Sequence, residues 1–240
     1  MKITLISGAG SGIGLSIAER FYKNDHNLIL LVKNNLQKKK LLKIFNAKKV
    51  KIFSGDLANY NFIKRLSQKV SYVHNIINNA ATRNDYHFLK VKKKDLDHIM
   101  DLNFKSTFFL TQIFTNKMIK NRIKGSVINL SSQLGHIGAF NRTAYCSSKF
   151  AVEGFTKSAA LDLSKYGIKI NSIAPTKTIV NNNELLKTKK RLNLIKNKIP
   201  LRQFTQKEDI AEICYFLTTK SCKNITGTSI KVDGGWTAGK

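Results

Sequence analysis

The side chains best suited to chemistry are a phenol, an ammonium and a hydroxyl. Tyr145 and Lys149 stand in the run Tyr145-Cys146-Ser147-Ser148-Lys149, and Ser132 lies thirteen residues before the tyrosine. On a helix, positions four apart share a face, so Tyr145 and Lys149 would project together. Such a pair suits proton transfer at a carbon-bound oxygen. Hydride addition to a carbonyl leaves an alkoxide that needs a proton, and the reverse reaction needs a base. A free phenol has a pKa near 10, and bringing it to about 7 takes roughly 4 kcal/mol of preference for the phenolate. A lysine cation one turn away, with the positive ring of an oxidised nicotinamide, can supply that in a partly dry site. Ser132 would hydrogen-bond the reacting oxygen and polarise it. Taken alone, Tyr-x3-Lys is also common on a solvated helix face, so the surrounding elements must decide.

Those elements are legible as short apolar runs. Residues 3–6, 28–32, 50–53, 75–77, 126–130, 168–173 and 229–232 read as strands, and longer amphipathic stretches separate them. Apolar runs without alternation suit strands buried on both faces of a parallel sheet. The pattern predicts an α/β fold: a doubly wound parallel sheet of about seven strands with helices on both faces. Ser132, Tyr145 and Lys149 then fall at the carboxyl edge of that sheet, where open α/β sheets bind ligands.

A glycine-rich turn leaves the first strand as Ser7-Gly8-Ala9-Gly10-Ser11-Gly12-Ile13-Gly14, and a helical pattern follows from Leu15 to Phe21. Gly8 permits a tight turn, Gly12 lets the backbone approach a pyrophosphate, and Gly14 lets the helix pack closely. The helix N-terminus would offer N–H groups and partial positive charge to phosphates. Asp56, closing the third strand, can accept from an adenine amino group or cap the next helix. Asn78-Asn79-Ala80-Ala81 ends the fourth strand. Its small residues would keep a cofactor cleft open, and its asparagines could tie neighbouring strands, although the run is also an ordinary polar turn.

Composition narrows the classes. The 240 residues hold 2 Pro and no low-complexity linker, so one domain over 1–240 is the simpler reading. No apolar run reaches the roughly 20 residues that span a bilayer. The strand beginning at Ile3 leaves no room for a signal peptide. Three cysteines without CxxC spacing, Cys146, Cys214 and Cys222, fit a reducing cytoplasm and imply no metal centre. The net charge of +28 is spread along the chain, and 35 of the 42 basic residues are Lys. Nucleic-acid readers depend on Arg for bidentate contacts. The charge is therefore read as compositional drift on a solvated surface, and a nucleic-acid partner is not expected.

In order along the chain, Ser7-Gly8-x3-Gly12-x-Gly14, Asp56, Asn78-Asn79-Ala80, Asn103, Ser132, Tyr145-x3-Lys149 and Asn171-Ser172-Ile173-Ala174-Pro175 resemble the short-chain dehydrogenase/reductase family. The resemblance continues to Val232-Asp233-Gly234-Gly235-Trp236. It implies a Rossmann-type fold and an NAD(P)(H)-dependent oxidoreductase with catalytic Asn103, Ser132, Tyr145 and Lys149. Asn103 would hold a water through its backbone and relay protons to Lys149, which would also contact the nicotinamide ribose. Implied cofactor contacts are Gly8, Ser11, Gly12, Ile13, Gly14, Lys33, Asp56, Leu57, Asn79, Ala80, Tyr145, Lys149, Pro175 and Thr178. A substrate lid would span about 176–202, and a homotetramer would assemble through the long central helices. This chain departs from the family pattern at Ser7, Ala81, Thr176 and Val180, where Thr, Gly, Gly and Thr are usual.

No acid closes the second strand in Leu31-Val32-Lys33-Asn34-Asn35, and Lys33 lies where a basic residue would read a 2′-phosphate. NADP(H) is therefore favoured over NAD(H). The sequence resembles the 3-oxoacyl-carrier-protein reductase and sugar/polyol dehydrogenase branches. Gln133, His136, Arg142 and Thr143 could contact a small or carrier-bound carbonyl substrate. Lys187, Lys189, Lys190, Arg191 and Lys196 make the lid basic enough for an acidic carrier. A protein that keeps the fold but only senses nucleotides or binds nucleic acid is the competing class, against which the intact Ser132, Tyr145 and Lys149 speak.

Overall fold

The computed structural model describes residues 1–179 and 189–239, with the side chains of residues 189–191 outside that set. Seven parallel strands form one sheet: β1 (Ile3–Ser7), β2 (Asn27–Val32), β3 (Val50–Ser54), β4 (Asn75–Asn78), β5 (Ser126–Leu130), β6 (Lys169–Pro175) and β9 (Ser229–Val232), in the order β3-β2-β1-β4-β5-β6-β9. Each apolar run of the sequence is a strand, with ends shifted by at most two residues. A two-residue parallel pair, β7 (Thr178–Ile179) with β8 (Thr205–Gln206), adds a sheet that the sequence pattern did not show.

The strands alternate between two cores because successive side chains point to opposite faces. Ile6, Leu28 and Leu30 pack with Ile17 and Phe21 of α1 (Gly12–Lys23) and with Ile210, Cys214 and Leu217 of α8 (Lys207–Thr218). Leu5, Ile29 and Leu31 pack on the other face with Ile63 and Leu66 of α3 (Tyr60–Lys69) and with Leu110 and Phe114 of α5 (Ser106–Lys120). Helix α6 (Thr143–Ser164) joins this second layer through Ala160. Fully burying each such side chain stabilises the fold by about 1.5–3 kcal/mol. Among the described residues the other α-helices are α2 (Asn35–Leu42), α4 (Lys93–Met100) and α7 (Lys189–Lys196).

Buried asparagines cross-link the middle of the sheet. Asn78 Nδ2 donates to Thr111 Oγ1 and Asn129 Oδ1, both at 2.9 Å, and Asn129 Nδ2 donates to Thr156 Oγ1 at 2.9 Å. Several lysines serve the architecture as well. Lys117 Nζ donates to Ser67 O and Val70 O, each at 2.7 Å, at the end of α3. Lys2 and Lys169 do the same at the end of α8, reaching Thr218 O and Leu217 O. Cations at a helix C-terminus meet the negative end of its dipole. Among the described residues no helix is long and apolar enough to cross a membrane.

Candidate active site

The strand order reverses between β1 and β4, and both halves of the site open from the carboxyl edge near that switch point. On the nucleotide side, Ser7 Oγ accepts from the N–H groups of Asn79 and Ala80, at 2.9 and 3.0 Å. Asn79 Nδ2 returns bonds to Ser7 O and Gly8 O, each at 3.1 Å. The glycine turn and the end of β4 are thus stitched together. Ser7 does this with the hydroxyl that it shares with the family's usual Thr.

The turn needs its glycines. Gly8 and Gly12 have φ of +66° and +57°, a region unfavourable for a residue with Cβ. A Cβ on Gly14 would lie 2.3 Å from Gly8 O. Helix α1 starts at Gly12, three residues earlier than its apolar pattern shows. Its cap residue Ser11 makes no side-chain capping bond, and its first turn carries no acid. Open N–H groups, a glycine cradle and positive dipole fit a dinucleotide's phosphates.

The other expected cofactor residues vary in how they are placed. Ile13 is partly buried against the first core and Leu57 is buried in the second, so Leu57 can offer a ligand only its backbone. Asp56 Oδ1 accepts from Ala58 N at 2.9 Å in a local turn, and the cap of α3 is Asn59, whose Oδ1 accepts from Asn61 N, so Asp56 does not cap the next helix. Lys33 is exposed, and its N–H donates to Gln37 Oε1 at 3.0 Å. Pro175 and Thr178 are buried at the end of β6 and in β7. Gln37 was missed: a Cβ on Gly10 would fall 2.4 Å from its Cδ, so its amide roofs the glycine turn. The spacing Asn34-x-x-Gln37 is a helix-start signature that could have located it, and Asn34 Oδ1 does accept from Gln37 N.

On the catalytic side, Tyr145 lies in the first turn of α6 and Lys149 one turn on, with Nζ 5.8 Å from the centre of the tyrosine ring. The Ser132 hydroxyl acts on the phenol and favours its ionised form, and Ser132 Oγ accepts from Leu134 N at 3.1 Å. Lys149 is buried and donates to Leu130 O at 2.7 Å. Burial pulls its pKa down to about 8, against the opposing pull of the Glu153 carboxylate. Burial pushes the Tyr145 phenol above its ordinary value, and the Ser132 hydroxyl and the charges of Arg83 and Arg142 resist this. The arginines therefore temper the phenol, a role the sequence reading gave to Lys149.

Asn103 occupies a π-helical turn, Asp101–Lys105, between α4 and α5. Its Oδ1 accepts from Thr82 N at 2.7 Å, and its Nδ2 donates to Thr82 O and to Ser148 Oγ, at 2.9 and 3.0 Å. It braces the loop after β4 against α6, a side-chain function beyond the backbone relay the resemblance implies. Such π turns accompany functional sites, and no breaker residue announces this one.

Two expected substrate contacts are otherwise engaged. His136 Nε2 lies 3.0 Å from Ser229 Oγ and 3.2 Å from Glu153 Oε1, so the ring faces a buried carboxylate. Arg142 pairs with Asp85 and donates to Asn84 O. Gln133 is buried, and Thr143 lines a cleft of about 470 Å3 with His87, Phe88 and Phe140. A larger concavity, about 630 Å3, lies between α5 and α6 and includes neither Tyr145 nor the glycine turn. Lys187 and Val180 lie outside the described residues, as do the side chains of Lys189, Lys190 and Arg191, while Lys196 is exposed. Among the described residues no group of three His, Cys, Asp or Glu is gathered as a metal requires.

A family model described as "Enoyl-(Acyl carrier protein) reductase" matches residues 8–237. The chain belongs to the short-chain dehydrogenase/reductase family. It is 34% identical, over 98% of its length and 96% of the relative's, to the 3-oxoacyl-[acyl-carrier-protein] reductase FabG of Rickettsia prowazekii. Among solved structures, 4-hydroxyisoleucine dehydrogenase complexed with NADH superposes with a TM-score of 0.93 at 30% identity, covering 100% of both chains. ElxO with NADP bound gives 0.90 at 27% identity, covering 99% of this chain and 100% of the other. As a short-chain dehydrogenase/reductase, the protein is an NAD(P)-dependent oxidoreductase acting at a CH–OH or carbonyl group.

Proposed function

We propose that the chain reduces the 3-oxo group of an acyl thioester presented by an acyl carrier protein, with NADP(H) as cofactor. The observation that carries the reading is the convergence of Tyr145, Ser132 and Lys149 on one side of a glycine cradle with open N–H groups. Full-length similarity to 3-oxoacyl-carrier-protein reductases supports the substrate class, and the net charge of +28 suits an acidic carrier.

In this reading Gly8, Ser11, Gly12, Ile13 and Gly14 hold the pyrophosphate, Asp56 and Leu57 the adenine, and Lys33 the 2′-phosphate. Asn79, Ala80, Pro175 and Thr178 border the nicotinamide, which when bound supplies the hydride. Ser132 Oγ orients the carbonyl oxygen, Tyr145 Oη delivers the proton, Arg83 and Arg142 lower the cost of the phenolate, and Lys149 holds the ribose. Asn103 keeps the loop at Thr82 in register with Ser148 of α6. The exposed concavity between α5 and α6, with Phe108, Phe155 and Leu161, supports assembly as a homotetramer. The unpaired, buried Cys146, Cys214 and Cys222 suit a reducing cytoplasm.

A second reading, NAD-linked oxidation of a small hydroxy compound, is favoured by the likeness to 4-hydroxyisoleucine dehydrogenase. The deciding assay follows cofactor oxidation with acetoacetyl-carrier protein, an enoyl-carrier protein, and free ketones and sugars, each with NADPH and NADH. Highest kcat/KM on the acetoacetyl carrier with NADPH is expected. Turnover confined to free polar compounds would overturn the carrier reading.

A further inference from the structure

Behind the reactive pair lies a charge that the proposed mechanism does not use. Tyr145, Lys149 and Glu153 are spaced four residues apart on α6, so they share one face. Glu153 is only 5% exposed. Its Oε2 accepts from Ser172 Oγ of β6 at 2.7 Å, its Oε1 accepts from Ser229 Oγ of β9 at 3.1 Å, and the same Oε1 lies 3.2 Å from His136 Nε2. A buried carboxylate held this way has a fixed position and a strong field, because little solvent screens it.

Lys149 is buried too, and the partner of its ammonium at Leu130 O is a neutral carbonyl. Desolvation works against the charged amine, and the Glu153 carboxylate is what opposes it. The groups facing Glu153 are Lys149 from its own helix, His136 from the turn after β5, and the hydroxyls of Ser172 and Ser229. Tyr145 stands one turn beyond Lys149, with Arg83 and Arg142 acting on it and Cys146 beside it.

We propose that Glu153 is the buried counter-charge of Lys149, a positioning residue that keeps the ammonium protonated while Tyr145 exchanges its proton, with His136, Ser172 and Ser229 holding it in place. Its consequence for turnover rests on the reductase reading. The electrostatic claim itself is tested without substrate or cofactor.

The test is a pH titration of protein labelled with 13C at the lysine ε-carbons. Burial that brings the Lys149 pKa to about 8 should set its signal apart from the ordinary lysine value of about 10.4. Glu153→Gln keeps the shape and removes the charge: its Oε1 can still accept from one serine, and its Nε2 must donate to the other hydroxyl. With both groups buried on successive turns of α6, the Lys149 midpoint should fall by about one to two pH units. Glu153→Asp, which retains the charge, should leave a midpoint between those of the wild type and the glutamine variant, and it stands in if Glu153→Gln does not fold. The alkaline limb of kcat should move down with the midpoint in Glu153→Gln, with KM nearly constant. A Lys149 midpoint unchanged in a folded Glu153→Gln variant, or shifted as far by Asp as by Gln, would overturn the proposal. Absence of any reductase activity in the wild type would instead sink the functional reading and leave the titration result standing.

Discussion

Gly14→Ala tests the close approach on which the nucleotide cradle rests, and it does so by the sign of the effect. In an ordinary helix, alanine is more favourable than glycine by about 1 kcal/mol. Here the new Cβ would lie 2.3 Å from Gly8 O and 2.5 Å from Asn79 Nδ2. Relief requires moving Gly8 from its positive-φ turn or breaking the bonds from Asn79 Nδ2 to Ser7 O and Gly8 O. Two lost hydrogen bonds at about 1 kcal/mol each, plus about 1–3 kcal/mol of overpacking, outweigh the helix gain. The net cost is about 2–4 kcal/mol, which for a chain of this size lowers Tm by roughly 4–16 °C. Gly154 of α6 is the matched control, because it is exposed and a Cβ there meets nothing within 4 Å. Gly154→Ala should hold or raise Tm. Scanning calorimetry of both variants measures the contrast, and NADPH binding should weaken roughly tenfold or more in Gly14→Ala alone. A Gly14→Ala protein as stable as wild type would refute the packing argument.

Three further outcomes are expected. Tyr145→Phe should lower kcat by about 10²–10⁴-fold with little change in NADPH affinity; near-normal turnover would remove Tyr145 as the proton donor. Lys33→Asp should shift the NADPH/NADH ratio of kcat/KM toward NADH by roughly tenfold or more, since a carboxylate repels a 2′-phosphate; an unchanged ratio refutes the role of Lys33. His26 is buried, and desolvation, with Lys2, His74 and the N-terminus nearby, pulls its pKa from 6.5 to about 4. The folded state therefore binds that proton less readily than the unfolded chain. Its contribution is intact above pH 6.5 and is lost as pH falls toward 4, up to about 3 kcal/mol. Urea unfolding at pH 7 and pH 4 should show that loss in wild type and a smaller one in His26→Asn; equal losses would exclude His26 as the cause.

Strand positions and the glycine turn were readable because each depends on a local pattern: short, mainly apolar runs for β1 to β6 and β9, and glycines directly after β1. The convergence of Tyr145 and Lys149 was readable for a similar reason, since helix periodicity alone sets it. Side-chain directions chosen by distant partners were not. His136 looked like a residue of the substrate mouth, but Glu153, seventeen positions on, and Ser229 turn it inward. Arg142 is claimed by Asn84 and Asp85 across the loop after β4. The β7–β8 pair is two residues long, too short to carry an alternation. The π turn at Asp101–Lys105 comes from hydrogen-bond registry, which residue types there do not betray.

Lys2, Lys117 and Lys169 show that a tally of ionic charge is a poor map of this protein's electrostatic face. Their ammonium groups are tied to the C-terminal ends of α3 and α8, so these three charges are held in place by the fold and are not free to swing toward a polyanion. Acetylating these three lysines would loosen two helix ends, whereas the same modification at an exposed mid-helix lysine such as Lys64 or Lys157 should alter solubility alone.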